Sequence, residues 1–266
     1  MSELKRRPLG RDGLVHDVTP ESAGWIYVGF ALHALAAGAA VSGETGDREI
    51  CLVLVSGKAR FVVDGRDLGE MGGRMSPFEG APDALYVPMG ASWSAEATTA
   101  VELAVCSAPG APGFQTRAIP AGTHRQMVRG KATNTRHVTN IMPEDDGAAH
   151  SLLVVEVITP GGHTSSYPPH KHDRDDLPAE SYLEETYYHR FNPPQGFGFQ
   201  RVYTDDRSLD EAMAVENGDV VLVPKGYHPV AAIHGYDGYY LNVMAGPTRA
   251  WKFHNAEEHA WLFTGI

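Results

Sequence analysis

Cysteine is close to absent from this chain: Cys51 and Cys106 are the two among 266 residues. Two thiols cannot build a multi-thiolate metal site, and both sit in apolar, strand-like surroundings, so buried free thiols are expected rather than a disulfide. No stretch approaches the ~18 consecutive apolar residues of a membrane span. No apolar run follows the basic Lys5-Arg6-Arg7 either, so the expected location is the cytoplasm. Basic residues are outnumbered, 22 Lys and Arg against 33 Asp and Glu, for a formal net charge of -11. Without a basic face to neutralise phosphates, nucleic acid and anionic membranes are not expected partners.

Long stretches of helical period are missing too. What takes their place is a series of short segments rich in Val, Tyr, Phe and Leu, separated by many of the 29 Gly and 18 Pro. The pattern predicts an all-β chain, long enough for two domains with a core each. Breaks fall at Ser107 to Gly113 and at Met142 to Gly147. Between them Arg125, Arg129, Arg136, Asn134 and Asn140 form a polar stretch that reads as a solvated connector in preference to a substrate-binding element. A helix is predicted over His254 to Leu262, with Ala256, Ala260 and Trp261 as a narrow apolar stripe.

Against this plain background one constellation stands out. His170 and His172 lie two apart in Pro168-Pro169-His170-Lys171-His172-Asp173, Glu185 lies in Leu183-Glu184-Glu185-Thr186-Tyr187-Tyr188, and His228 follows Pro224-Lys225-Gly226-Tyr227. Histidines at i and i+2 face the same side of an extended strand, so both imidazoles can reach one ion. Gly218 to His228 reads as turn, buried strand, tight turn and donor. Three imidazoles and a carboxylate are a metal-ligand set.

These motifs resemble the cupin pattern of His-x-His, a following Glu, and a third His after Gly-x5-Pro-x-Gly. The chain departs from it by an acidic insertion, Arg174 to Leu183, and by one residue rather than two between Gly226 and His228. Of the adjacent Glu184 and Glu185, Glu185 is the chosen ligand, because Thr186, Tyr187 and Tyr188 follow it as a strand would. Pro88-Met89-Gly90-Ala91-Ser92 repeats the shape of Pro224 to His228, and Glu49 precedes Pro88 by the same 39 positions that separate Glu185 from Pro224. The fold expected is a bicupin, two jelly-roll β-barrels from an internal duplication, residues 1–133 and 134–266. Ser92 standing for His228, and the lack of His-x-His around Gly43-Glu44-Thr45-Gly46, predict that only the second barrel keeps a metal.

Ala23-Gly24-Trp25-Ile26-Tyr27, the His-x-His and Glu segments, Gly196 to Tyr203 and Gly218 to His228 together resemble the 5-deoxyglucuronate isomerases of myo-inositol catabolism. The resemblance implies an aldose–ketose isomerase converting 5-deoxy-D-glucuronate to 5-dehydro-2-deoxy-D-gluconate. One divalent ion is implied, zinc first, with manganese, iron, cobalt or nickel also accepted by such ligands. It would polarise the C1 carbonyl and ease loss of the C2 proton, through a cis-enediol or, as a rival route, a hydride shift. A metal-dependent cupin dioxygenase and a non-catalytic sugar-binding cupin are the alternatives. A homo-oligomer is compatible with barrels that pair through edge strands.

Alternation along the strand after Glu185 puts Tyr187 and His189 on its face, as candidates for proton transfer or for hydrogen bonds to the sugar. Lys225, in the turn before His228, is placed to meet an anionic substrate, and Arg201 and Lys171 are candidates for its carboxylate.

Overall fold

The computed structural model describes residues 2–10 and 13–264. They form two compact units that interleave in sequence, in place of the single expected cut between 133 and 134. One comprises Pro8–Arg125 and Asn140–Val154, the other Met1–Arg7, Gln126–Thr139 and Val155–Ile266. Strand pairing is the reason: Lys5–Arg6 adds to Val220–Val223, far along the chain, and so joins the second unit.

In the first unit a six-stranded sheet runs in the order Arg117–Ile119, Ala84–Val87, Arg48–Ser56, Val101–Pro109, Gly29–Leu35, Leu14–Val18. A four-stranded sheet runs Ala40–Glu44, Ser92–Ala97, Ala59–Val63, Arg66–Met71. Neighbours are antiparallel, and alternate residues of both sheets fill one core that includes Ile50, Leu52, Leu54, Phe61, Leu85 and Trp93. The second unit repeats the plan. Its main sheet runs Lys5–Arg6, Val220–Val223, Glu184–Asn192, Asp237–Ala245, Leu153–Thr159, Arg136–Met142, Arg125–Arg129, and its smaller one Thr164–Ser165, Val230–Ala232, Phe197–Tyr203, Asp210–Glu216. Apart from the extra outer strand Arg125–Arg129, the two units have matching strand orders, which is the mark of a duplicated jelly roll.

The register corrects the residue correspondence expected from equal spacing. Val87 and Val223 each precede the Pro-x-Gly turn, and they pair with Ile50 and Glu185 respectively. On the other side, Glu49 pairs with Ala108 and Glu184 with Ala245. Glu49 is therefore the counterpart of Glu184, and Ile50 that of Glu185. The loops between these strands differ in length by one residue, and a one-residue offset exchanges the two faces of a strand. Where the second barrel has Glu185, Tyr187 and His189, the first has Ile50, Leu52 and Leu54. Ser92 is also displaced from the expected position: its backbone N–H and its hydroxyl bond Asp64 on the exposed side, while Ala91 and Trp93 point inward.

Two further expectations are revised. Val101–Pro109 continues as strand through Ser107, so the break comes after Pro109. The predicted helix over His254 to Leu262 is divided into strand His254–Asn255, a 3-10 turn Glu257–His259 and a helical turn Trp261–Thr264. His254 and Asn255 pair with Lys171 and His170, and Ala256 N–H bonds the Pro169 carbonyl, which commits this backbone to a sheet. The acidic insertion is a hairpin of Asp173–Asp176 with Glu180–Tyr182. No helix among the described residues is long and apolar enough to cross a membrane.

Glu49 has a structural task in the first barrel. It is fully buried and accepts the backbone N–H groups of His150, Ser151 and Leu152 at 2.7–2.8 Å, and the Tyr86 hydroxyl at 2.7 Å. Replacing it leaves several buried donors unmatched, at about 1–3 kcal/mol each. Glu49→Leu is expected to lower the free energy of unfolding by several kcal/mol in urea denaturation, and an unchanged midpoint would refute this role.

Candidate metal centre and its cleft

The second barrel brings its three histidines to one point. One ligand nitrogen from each of His170, His172 and His228 lies within 4.8 Å of the others. His170 comes from the short strand His170–Lys171, laid against His254–Asn255, and His172 follows it on the same face. His228 is aimed by the turn before it, where Gly226 has φ +89° and a Cβ would meet the Tyr203 carbonyl oxygen at 2.4 Å. Only glycine fits there. Glu185 is the second residue of strand Glu184–Asn192, and its Oε2 lies 3.1 Å from His172 Nε2 and 3.3 Å from His228 Nε2.

Hydrogen bonds to backbone carbonyls fix which nitrogen of each ring is free. His172 Nδ1 is 3.1 Å from the Leu183 carbonyl and His228 Nδ1 is 2.9 Å from that of Gly226. A carbonyl only accepts, so both Nδ1 atoms carry the proton and both Nε2 lone pairs face Glu185. His228 Nε2 is buried with no hydrogen-bond partner. Lone pairs of two imidazoles against a carboxylate in a buried site repel unless a proton or a cation lies between them. Burial pushes His228 down to about 4, so a proton is disfavoured there near neutral pH. At His172 burial also opposes charge, but the hydrogen bond and the charge of Glu185 outweigh it and raise its proton affinity. Burial, then His228, His172, Arg136 and Arg129, hold His170 well below the usual imidazole range. The donor set fits a divalent cation.

Beyond the ligands the space widens in two stages. An inner cavity of about 30 Å³, room for about one water, is lined by His170, Glu185, Tyr187, Tyr240 and Asn242 among others. Ser166 Oγ bridges the hydroxyls of Tyr187 at 3.0 Å and Tyr240 at 3.4 Å. An outer cleft of about 540 Å³ shares His170, Arg129 and Arg136 with the inner one and is closed by Tyr167, Phe253 and Phe263. It has the size of a small-molecule site.

The sequence model of the KduI/IolB family matches residues 4–262. The chain belongs to that family. It is 57% identical over 252 residues to the 5-deoxy-glucuronate isomerase of Geobacillus kaustophilus, covering 94% of this chain and 91% of the relative. An IolB-like protein from Salmonella typhimurium LT2 superposes with a TM-score of 0.96 at 52% identity, covering 98% of this chain and all of the other. The oxalate decarboxylase of Lactobacillus farciminis matches at a TM-score of 0.68 and 13% identity, over 100% of this chain and 91% of the other, a likeness of fold alone. The fold is a bicupin, and the histidine triad within it points to metal binding.

In this KduI/IolB chain the sequence-predicted residues separate into two groups. His170, His172, Glu185, His228 and Tyr187 converge. Lys171 does not join them: it is 2% exposed, on the opposite side of its strand, and its Nζ lies 2.7, 3.2 and 3.7 Å from Asp173, Asp205 and Glu180. Arg201 projects from the outer face of Phe197–Tyr203 into a two-pronged pair with Asp210, while its neighbour Gln200 points inward. Lys225 is exposed at the turn and lines neither cavity. His189 shares the Tyr187 face but lies deeper, donating Nε2–H to Gln200 Oε1 at 2.9 Å, also outside both linings. Arg129, Arg136, Ser166 and Tyr240 are the cavity residues that strand alternation near Glu185 does not reveal.

The Lys171 cluster braces the ligands. Asp173 also accepts the Gly226 N–H at 2.9 Å, and Asp205 accepts the Tyr227 hydroxyl at 2.9 Å, tying the His-x-His segment to the turn before His228. Lys171→Met leaves three carboxylates together without their cation, an expected loss of about 3–5 kcal/mol, with metal affinity lowered roughly 10- to 100-fold. Chemical denaturation and a metal titration check the two halves of that expectation.

Burial pushes His189 down to about 4 in the folded chain, against 6.5 when free. Between these values the unfolded state binds the extra proton, so stability is present above about 6.5 and is lost as pH falls towards 4, by about 3 kcal/mol for this one group. Unfolding of chelator-treated protein from pH 7 to 4 should show a shallower decline in His189→Gln than in the native sequence.

Proposed function

We propose that this chain isomerises 5-deoxy-D-glucuronate to 5-dehydro-2-deoxy-D-gluconate, the aldose–ketose step of myo-inositol catabolism. The observation that carries the proposal is the convergence of His170, His172, Glu185 and His228 at the base of a cleft, in a chain so close to named 5-deoxy-glucuronate isomerases. It is a sugar-acid isomerase working in the cytoplasm on a small anionic substrate, without a nucleic-acid or membrane partner. No oxidant enters, since one hydrogen leaves C2 and one arrives at C1.

His170, His172, Glu185 and His228 would hold a divalent ion, zinc in the first instance, whose chemistry there is to polarise the substrate carbonyl. Leu183 and Gly226 carbonyls keep His172 and His228 in the tautomer that offers Nε2. Tyr187 is the residue placed to hold a proton beside the reacting carbons. Burial first, and then the charge of Glu185, raise its phenol well above the usual value, so it remains O–H and serves as a donor to a substrate oxygen. Ser166 and Tyr240 orient that hydroxyl and can return its proton. Val138, Val155 and Val157 line the inner cavity and keep bulk water from the reacting end.

Proton NMR of 5-deoxy-D-glucuronate under anaerobic conditions tests the reaction. Loss of the anomeric signals and growth of ketose signals are expected with metal-loaded protein and not after chelation. Absence of change, followed by oxygen uptake on admitting air, would move the assignment to a dioxygenase. His228→Ala is expected to lose metal and turnover together. Tyr187→Phe should keep its metal while kcat drops roughly 100-fold, in the range of a lost proton donor.

A further inference from the structure

Arg129 and Arg136 are charged groups that no Asp or Glu among the described residues pairs with. Both are half-buried, at the two ends of the turn that joins strand Arg125–Arg129 to Arg136–Met142, and both line the inner cavity and the outer cleft. Elsewhere, Arg60, Arg117, Arg125, Arg174, Arg201 and Arg207 each face an Asp or Glu. Neither cleft arginine has a carboxylate partner among the described residues. Arg136 donates Nη1–H to the carbonyls of Asn134 at 3.2 Å and Tyr167 at 3.0 Å. Arg129 directs Nε–H at Met127 Sδ, and its guanidinium lies 5.4 Å from the centre of the Trp251 ring.

These contacts hold each side chain in place yet leave most of its five N–H donors unmatched. Burial disfavours the charge on both. A partly desolvated guanidinium in that condition is costly on its own and favourable once an anion docks. Lys131 joins them in the lining of the outer cleft, which includes no Asp or Glu among the described residues. In a chain of net charge -11, a cleft whose described lining has three cations and no acid is a local reversal of sign. A planar fork matches a carboxylate through two parallel N–H bonds, as a lysine cannot.

We propose that Arg129 and Arg136 form a carboxylate clamp that makes this site selective for sugar acids over neutral sugars. The acid end of the substrate lies on the two guanidiniums in the outer cleft, and its carbonyl end enters at His170, which both cavities share. The identity of the ligand rests on the isomerase assignment; the preference for an anion rests on the cleft alone.

Two measurements separate those dependencies. Calorimetric titration of chelator-treated protein with 5-deoxy-D-glucuronate, and with the neutral aldose bearing a hydroxymethyl group in place of the carboxylate, reads the anion preference without turnover. The native sequence is expected to bind the acid roughly 10- to 100-fold more tightly, the value of a lost charge-assisted hydrogen bond. Arg129→Gln and Arg136→Gln should remove most of that preference and leave the neutral sugar unaffected, with the lysine variants intermediate. Arg201→Gln, equally charged but facing outward, should retain it. In the metal-loaded enzyme the glutamine variants should raise KM for the acid far more than they lower kcat. No preference in the native sequence, a preference retained in both glutamine variants, or equal weakening of acid and neutral sugar would overturn the clamp. Failure of the native enzyme to isomerise the acid would overturn the isomerase assignment and leave the titration to decide the clamp.

Discussion

The mutual repulsion of lone pairs around Glu185 is the constraint on which the second barrel is organised. Two imidazole nitrogens are presented to one carboxylate oxygen at 3.1 and 3.3 Å, with all three side chains buried. An arrangement of acceptors alone is unstable unless a positive charge completes it, and holding it open demands rigid support. That support is built from backbone carbonyls on the two Nδ1 atoms and from the Lys171 cluster beneath the strand. One buried ammonium thereby fixes two segments that lie more than fifty residues apart in the chain, His170–His172 and Gly226–His228.

Duplication shows how little of a fold need change for chemistry to appear or vanish. The two barrels share strand order and sheet pairing, and they differ in what alternation delivers to the interior. Ile50, Leu52 and Leu54 make one barrel an apolar core, whereas Glu185, Tyr187 and His189 make the other a polar chamber. The acidic residue on the opposite face is kept in both. In the first barrel it has become an anchor for three amide groups, a role that needs a buried carboxylate but no metal.

Charge is distributed against the average. This acidic chain keeps two arginines without a carboxylate partner among the described residues inside the cleft that opens on the histidines, while exposed arginines such as Arg60 and Arg201 are matched by aspartates. Net charge limits what the whole surface attracts. It does not describe the field in a pocket, where a few desolvated groups dominate.

The sequence by itself determined the class of fold, the duplication and the metal-ligand candidates, because each is written in local spacing. His170 and His172 share a face by strand geometry, Glu185 begins an alternating segment, and Pro224-Lys225-Gly226 can only be a tight turn. Tertiary structure decided whatever depends on which strand lies opposite which. The counterpart of Glu185 is Ile50 and not Glu49, since a single extra loop residue exchanges the faces. Residues 254–255 became strand because His170 and Lys171 offered an edge to pair with. Lys171 and Arg201 were indistinguishable from Arg129 and Arg136 as lone cations in a string. Only the folded chain gives the first two their carboxylates and leaves the last two facing a cavity, for pairing and desolvation are properties of neighbours in space.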